Sequence, residues 1–212
     1  MPLHLLDDVL WFPPLSEALP DGLLAMGGDL KPERLLLAYR SGIFPWFNAD
    51  EPPLWWSPDP RCVLFPPEVH ISHSMRSLLR RNAFTITTNR AFEAVITQCG
   101  SNRTEGTWIT PAIIQAYTQL HNMGYAHSVE AWQNHTLVGG LYGIRIGNIF
   151  FGESMFSNVS NASKYAFIHY MKQLQQEGVV LVDCQVHNPH LESLGARMIP
   201  REEFIQYLNR YC

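Results

Sequence analysis

The chain has 212 residues, is 46% hydrophobic and only 16% charged, and carries a formal net charge of -4. That length supports one large domain, or a domain of ordinary size with a smaller one attached. Apolar runs end well short of the ~18 to 20 residues a membrane span requires, and the acidic balance excludes a surface coated in positive potential, so any nucleic-acid contact must be local.

The opening octet, Met1 to Asp8, has no basic segment ahead of an apolar one, so no secretory signal is readable and the cytoplasm is the expected location. Cys62, Cys99, Cys184 and Cys212 are scattered without a C-x-x-C pair and are expected as reduced thiols. Residues 1–60 are rich in Pro and Trp, notably in Trp11–Pro14, Gly42–Phe47 and Pro52–Arg61. Such segments predict stiff, irregular chain with little helix or strand, suited to walling a cleft. Between them Pro32 to Arg40 reads as a short helix, with Gly42 just past its end. These residues are expected to form a small N-terminal domain, followed by a second domain over 61–212.

The pattern then becomes regular. Ser72 is positioned to cap a helix through Asn82, with Met75, Leu78 and Leu79 inward and Arg76, Arg80 and Arg81 outward. Phe84 to Thr88 reads as a strand. Asn89 then caps a helix with Phe92, Val95, Ile96 and Cys99 at i, i+3, i+4 and i+7. Thr110-Pro111 opens another, with Ile113, Ile114, Tyr117 and Leu120 on one face. Three strands follow as a meander: Ser128–Gln133, Leu137–Ile146 and Ile149–Phe156, joined at Asn134-His135 and Gly147-Asn148. A helix from Ala162 to Glu177 buries Phe167, Tyr170, Met171 and Leu174. Val179–Gln185 is a further strand, and an amphipathic helix runs from Arg201 to Asn209. This order is that of an N-acetyltransferase-like (GNAT-like) α/β (α+β) domain.

Two strands bring carboxylates toward one place. Ile149–Phe156 surrounds Glu153 with apolar side chains, and Val179–Gln185 delivers Asp183 and Gln185 to a sheet edge. Desolvation there raises a carboxylate's basicity toward usefulness, although a satisfied structural pair is the plainer alternative. Alternation places Asp183 and Gln185 on one face and turns Cys184 away into the core. An acyl-CoA enzyme of this fold needs a glycine-rich turn before the helix; Ser157-Asn158-Val159-Ser160-Asn161 contains no glycine, which disfavours CoA and suits a larger donor held by side chains. Ser160 or Asn161 can equally be a helix cap.

No metal is expected: Pro189 interrupts His187-Asn188-Pro189-His190, and no H-E-x-x-H is present. Gly152–Phe156 lacks the closing glycine of a nucleophile elbow, and Gly139-Gly140 is not followed by the Lys of a phosphate loop. Trp46 and Trp108 lie in polar-flanked loops, where a ring either packs or stacks a nucleobase for ~1–3 kcal/mol. For Arg76, Arg80 and Arg81, phosphate contact and simple solvation stay equally open.

Taken together, Gly22–Leu30, Gly42–Phe47, Trp55–Arg61, Glu105–Thr110, Gly152–Ser157, Asn161–Lys164 and Asp183–Gln185 resemble the leucyl/phenylalanyl-tRNA protein transferases of bacteria. The resemblance implies an enzyme that moves Leu or Phe, and possibly Met, from aminoacyl-tRNA to the N-terminal α-amine of proteins starting with Arg or Lys, marking them for degradation by the N-degron pathway. It implies that Trp46 and Trp108 hold the terminal adenosine, that Leu141, Phe150 and Met155 line the aminoacyl pocket, and that Arg80 and Arg81 meet acceptor-stem phosphates. Ser157 and Asn158 join the substrate-binding set. Asp183 and Gln185 serve the chemistry, Asp183 as partner of the attacking amine, with Glu153 close by and expected to hold the cationic acceptor. No cofactor is implied and a monomer is expected. The rivals are a CoA-dependent N-acetyltransferase and a module that grips tRNA or peptide N-termini without turnover.

Overall fold

The Pro- and Trp-rich start of the chain is more ordered than its composition suggests. In the computed structural model, which describes residues 3–101 and 107–212, short strands from it join in a four-stranded sheet, while the Pro-aromatic segments stay largely irregular as expected, with no helix or strand over 11–14 and strands of two and three residues in the other two. The elements are β1 (His4–Leu6), β2 (Leu23–Gly27), α1 (Pro32–Arg40), β3 (Phe44–Pro45) and β4 (Leu54–Trp56), with strand order β1-β2-β4-β3. Proline is tolerated because Pro45 lies in the edge strand, where no ladder N–H is demanded of it. Trp55 fills the centre: it is fully buried and its indole Nε1–H donates to Gly27 O at 2.9 Å. Gly27, at φ 91°, brings β2 so near β1 that a Cβ there would meet Leu6 O at 2.8 Å.

The second sheet has seven strands. Its elements are β5 (Arg61–Leu64), α2 (His73–Arg80), β6 (Thr85–Thr88), α3 (Phe92–Ser101), α4 (Pro111–Asn122), β7 (Ala126–Gln133), β8 (Thr136–Ile146), β9 (Ile149–Ser157), α5 (Ala162–Gln176), β10 (Leu181–Gln185), α6 (Pro189–Glu192), β11 (Arg197–Ile199) and α7 (Arg201–Tyr211). Strand order is β11-β5-β10-β9-β8-β7-β6, antiparallel throughout except for the parallel pair β9 and β10. Two helices, an antiparallel meander, a crossover helix and a parallel strand reproduce the acetyltransferase-like order. Apolar periodicity dictates it: Phe92, Val95, Ile96 and Cys99 of α3 and Ile113, Tyr117 and Leu120 of α4 are all buried.

Some helix starts differ from expectation. Ser72 and Thr110 cap α2 and α4 through their hydroxyls. Asn89 does not cap α3; the N–H groups of Arg90 and Ala91 instead donate to the buried carboxylate of Glu130, an anion well placed at a helix start. Neither Ser160 nor Asn161 caps α5 with its side chain. Ser157 Oγ, itself donating to Val159 O, accepts the Ser163 N–H at 3.2 Å.

The core lies on the two faces of the large sheet. On one face a cluster runs unbroken from Leu24 and Trp55 through Leu35 and Tyr39 of α1 to Tyr142, Phe151 and Phe204. On the other, Phe150, Leu141 and Val182 pack under Phe167, Tyr170 and Met171 of α5. No helix among the described residues is long and apolar enough to cross a membrane.

Candidate active site

Two departures from regular β structure build the site. The ladder between β9 and β10 ends at Asp183 opposite Phe151, after which the strands part. Between β8 and β9 the register slips: Tyr142 pairs with Ser154 and Gly143 with Gly152, leaving Glu153 as the extra residue of a bulge. The slip explains why Phe150 and Met155, five apart, line the same cavity, which strict alternation forbids.

The cavity between the parted strands has a volume of about 260 Å³. Leu141, Phe150, Met155, Phe167, Val182 and Leu191 make its apolar wall; Glu153 and Gln185 bring polar groups to it, and Asn188 and His190 also line it. Glu153 accepts three side-chain hydrogen bonds among the described residues. Its Oε1 accepts from Tyr39 Oη at 2.7 Å and from Gln185 Nε2 at 2.9 Å; its Oε2 accepts from Tyr117 Oη at 3.2 Å; and the two tyrosine hydroxyls hydrogen-bond each other. Burial pushes the Glu153 carboxyl up to about 7, against the hydrogen bonds from Tyr39 and Tyr117, which favour the ionised form.

Asp183 lies elsewhere. It is fully buried, and the fully buried Arg61 grips it with Nε on Oδ1 at 2.8 Å and Nη2 on Oδ2 at 2.7 Å. Arg61 also donates to Gly42 O at 3.0 Å and is sandwiched between the rings of Phe44 and Phe204, 4.8 and 4.7 Å from its guanidinium carbon. The pair thus ties β10 to the N-terminal sheet and to α7.

Asp183 was expected beside Gln185 on one strand face. A shift of register between the two, with Gln185 at φ 64°, turns the Gln185 side chain to Glu153 while its backbone N–H donates to Asp183 Oδ1 at 2.9 Å. Cys184, expected as a core thiol, is only half-buried and lines the cavity for the same reason.

The other expected residues are dispersed. Ser157 and Asn158 are exposed, with Asn158 Nδ2 donating to Gln98 Oε1 at 3.2 Å, and neither lines the cavity. Trp46 is 48% exposed, its ring tilted against Trp56, whereas Trp108 is 8% exposed and belongs to the core cluster. Of the Glu105–Thr110 segment, Glu105 and Gly106 lie outside the described residues. Arg80 and Arg81 are exposed, and Arg76 and Arg80 share an open groove with His70, His73, Lys172 and Glu68. Sequence reasoning missed Arg61, Tyr39 and Tyr117.

An acetyltransferase-like sheet whose parted strands hold an ionisable carboxylate beside an apolar cavity is the arrangement of an acyl-transfer enzyme. Known proteins narrow the class. A family model described as leucyl/phenylalanyl-tRNA protein transferase matches residues 63–209, and the model of that family's N-terminal domain matches 28–59. A leucyl/phenylalanyl-tRNA–protein transferase of Azotobacter vinelandii is 58% identical over 205 residues, 95% of this chain and 91% of that protein. One of Chromohalobacter salexigens is 59% identical over 204 residues, 94% of this chain and 80% of that protein. Among solved structures, a GCN5-related N-acetyltransferase from Kribbella flavida is 10% identical, with a TM-score of 0.39 over 80% of this chain and 61% of that one. The chain belongs to the leucyl/phenylalanyl-tRNA–protein transferase family and is a transferase enzyme.

Proposed function

We propose that the chain moves Leu or Phe from aminoacyl-tRNA to the N-terminal α-amine of proteins beginning with Arg or Lys, and so marks them for degradation by the N-degron pathway. The observation that carries this reading is the apolar cavity with Glu153 and Gln185 beside it. The aminoacyl side chain enters the cavity, where full burial of a Leu or Phe contributes about 1.5–3 kcal/mol. Its ester carbonyl then lies near Glu153 and Gln185. In this reading residues 1–60 are a small domain that completes the site built by 61–212. The protein acts as a monomer in the cytoplasm, where charged tRNA is found.

The chemistry asks for positioning and one proton acceptor. The ester is already activated, and an α-amine with a pKa near ~7.7–8.0 is mostly protonated at pH 7. Glu153, titrating near 7, takes the proton from the ammonium, and the amide oxygen of Gln185 orients the neutral amine. The nitrogen attacks the ester carbon, the new C–N bond forms, the C–O bond to the ribose breaks, the second proton shed by the nitrogen passes to the leaving ribose oxygen, and the proton held by Glu153 is released to solvent. Asp183 orients Gln185 through its backbone N–H and is not itself exposed to the amine.

Donor selection tests the reading. A charged aminoacyl group would be desolvated in the apolar cavity without a partner, so kcat/KM for Leu-tRNA or Phe-tRNA is expected to exceed that for Asp-tRNA by at least about a hundredfold. Equal transfer from Leu-tRNA and Asp-tRNA contradicts it. The arginine groove gives a separate prediction: replacing Arg80 and Arg81 by Ala should weaken binding of all accepted tRNAs by a similar factor and flatten the salt dependence. An unchanged salt slope would make these arginines a solvated face. The exposed Trp46 is better disposed than Trp108 to stack on a terminal base. Trp46→Ala should therefore raise KM for aminoacyl-tRNA with little change in Tm, while Trp108→Ala should lower Tm.

A further inference from the structure

Tyr39 and Tyr117 come from separate parts of the chain, α1 beside the N-terminal sheet and α4 beside the large one, yet they meet at one carboxylate. Both are fully buried. Tyr39 is packed 5.1 Å from the ring of Phe151, and Tyr117 lies edge-on to Tyr142 at 5.8 Å. Phenols that only filled this core could be phenylalanines. Instead both hydroxyls converge on Glu153, the residue displaced by the bulge.

We propose that Tyr39 and Tyr117 are positioning residues that clamp Glu153 and let it take up and release a proton without moving. The proposal rests on the reading of Glu153 as the proton acceptor and deepens it. Counting protons shows why the arrangement suits that task. With Glu153 ionised, Tyr39 turns its O–H onto Oε1, and Tyr117 shares its single hydrogen between Oε2 and the Tyr39 oxygen. With Glu153 protonated, the same oxygens form a closed ring: Glu153 O–H donates to Tyr117, Tyr117 to Tyr39, and Tyr39 back to Glu153. Only hydroxyl hydrogens rotate between the two states, so the proton acceptor is preorganised and needs no rearrangement of heavy atoms. Because Tyr39 belongs to α1, the N-terminal part of the chain contributes directly to setting the acceptor carboxylate.

Of the other charged or titratable groups around Glu153, Asp183 of β10, paired with Arg61 of β5, raises it further by like charge; Cys184 of β10 and His190 of α6 line the same cavity, and Gln185 carries no charge. The phenols are the adjustable partners. Two donors to the ionised form hold its pKa below the value that burial alone would set, so removing either should raise it.

The test is a titration of the Glu153 carboxyl carbon by 13C NMR in the free enzyme, its signal assigned by its absence in Glu153→Gln, together with the pH profile of single-turnover transfer. Tyr39→Phe and Tyr117→Phe each delete one oxygen and keep the ring packing. Each is expected to raise the carboxyl midpoint from about 7 by roughly one unit and to carry the acid limb of the rate profile with it, leaving KM for aminoacyl-tRNA within about twofold. Midpoints unchanged in both variants, with Glu153→Gln slow, overturn the proposal and leave the role of Glu153 standing. A wild-type rate in Glu153→Gln removes the reading beneath it, and the proposal with it. Should one variant fail to fold, the other carries the same test.

Discussion

Glu153→Gln is expected to lower the single-turnover rate of transfer at saturating substrates by about 10²- to 10⁴-fold, the usual contribution of a positioned acid or base. The substitution keeps size and shape while removing the proton acceptor, so aminoacyl-tRNA affinity should change little. Residual transfer above background should remain, because the ester is activated and a fraction of the amine is neutral without help. The wild-type rate should fall as pH drops through about 7, where burial places the carboxyl.

Folding stability should move in the opposite sense. A carboxyl raised from 4.5 to about 7 binds more protons folded than unfolded between those values, so wild-type stability declines as pH rises through that window. Glu153→Gln removes that decline and should melt no lower than wild type at pH 8. A slow variant that is not destabilised is the signature of a chemical role. A variant equally slow but with a much lower Tm would indicate a structural carboxylate instead.

Asp183 should behave in the reverse way. Asp183→Asn leaves the Arg61 guanidinium buried without its counter-charge between two aromatic rings, and breaking a buried pair by removing one partner costs about 3–5 kcal/mol. For a chain of this size that corresponds to a fall in Tm of roughly 10 °C. Arg61→Met should be costly too, since it leaves the carboxylate buried alone, whereas the double variant Arg61→Met/Asp183→Leu should recover a substantial part of the loss. The leucine at 183 in the double variant has no acceptor for the Gln185 N–H, so transfer should stay slow there even where stability recovers. A Tm equal to wild type for Asp183→Asn would show that the pair is not the sealed tie between β10 and the N-terminal sheet.

How much of this was legible beforehand varied with the range of the interactions. Helices α3, α4 and α5 were written in apolar spacing, and the meander β7 to β9 in turn residues; Asn134 and His135 do adopt the positive φ such a turn demands. Glu153 stood out because burial in an apolar strand raises a carboxylate's basicity, although a satisfied structural carboxylate, such as Glu130 of β7 proves to be, was the plainer reading. The bulge beside it did not, since alternation is the only rule a single strand offers, and a one-residue slip is set by the neighbouring strand. The same limit hid the turn of Gln185 away from the Asp183 face. Arg61 sits 122 residues from Asp183, and no local pattern announces that pairing. Tyr117 fell on the buried face of α4 at the correct spacing and so read as core, which its ring is and its hydroxyl is not. The strands of the N-terminal sheet are two to five residues long, and one of them, β3, contains a proline, so little β pattern can be seen.

The most direct test is where the leucyl group ends up. Incubating the protein with labelled Leu-tRNA and peptides that differ only in their first residue, then locating the added group by tandem mass spectrometry, reads donor, acceptor and atom together. The predicted result is a single leucyl residue on the α-nitrogen of peptides beginning with Arg or Lys, none on peptides beginning with Asp or Glu, and none on an α-acetylated Arg peptide. Labelling of side-chain amines, equal labelling of every first residue, or transfer of an acetyl group from acetyl-CoA in place of leucine would contradict it.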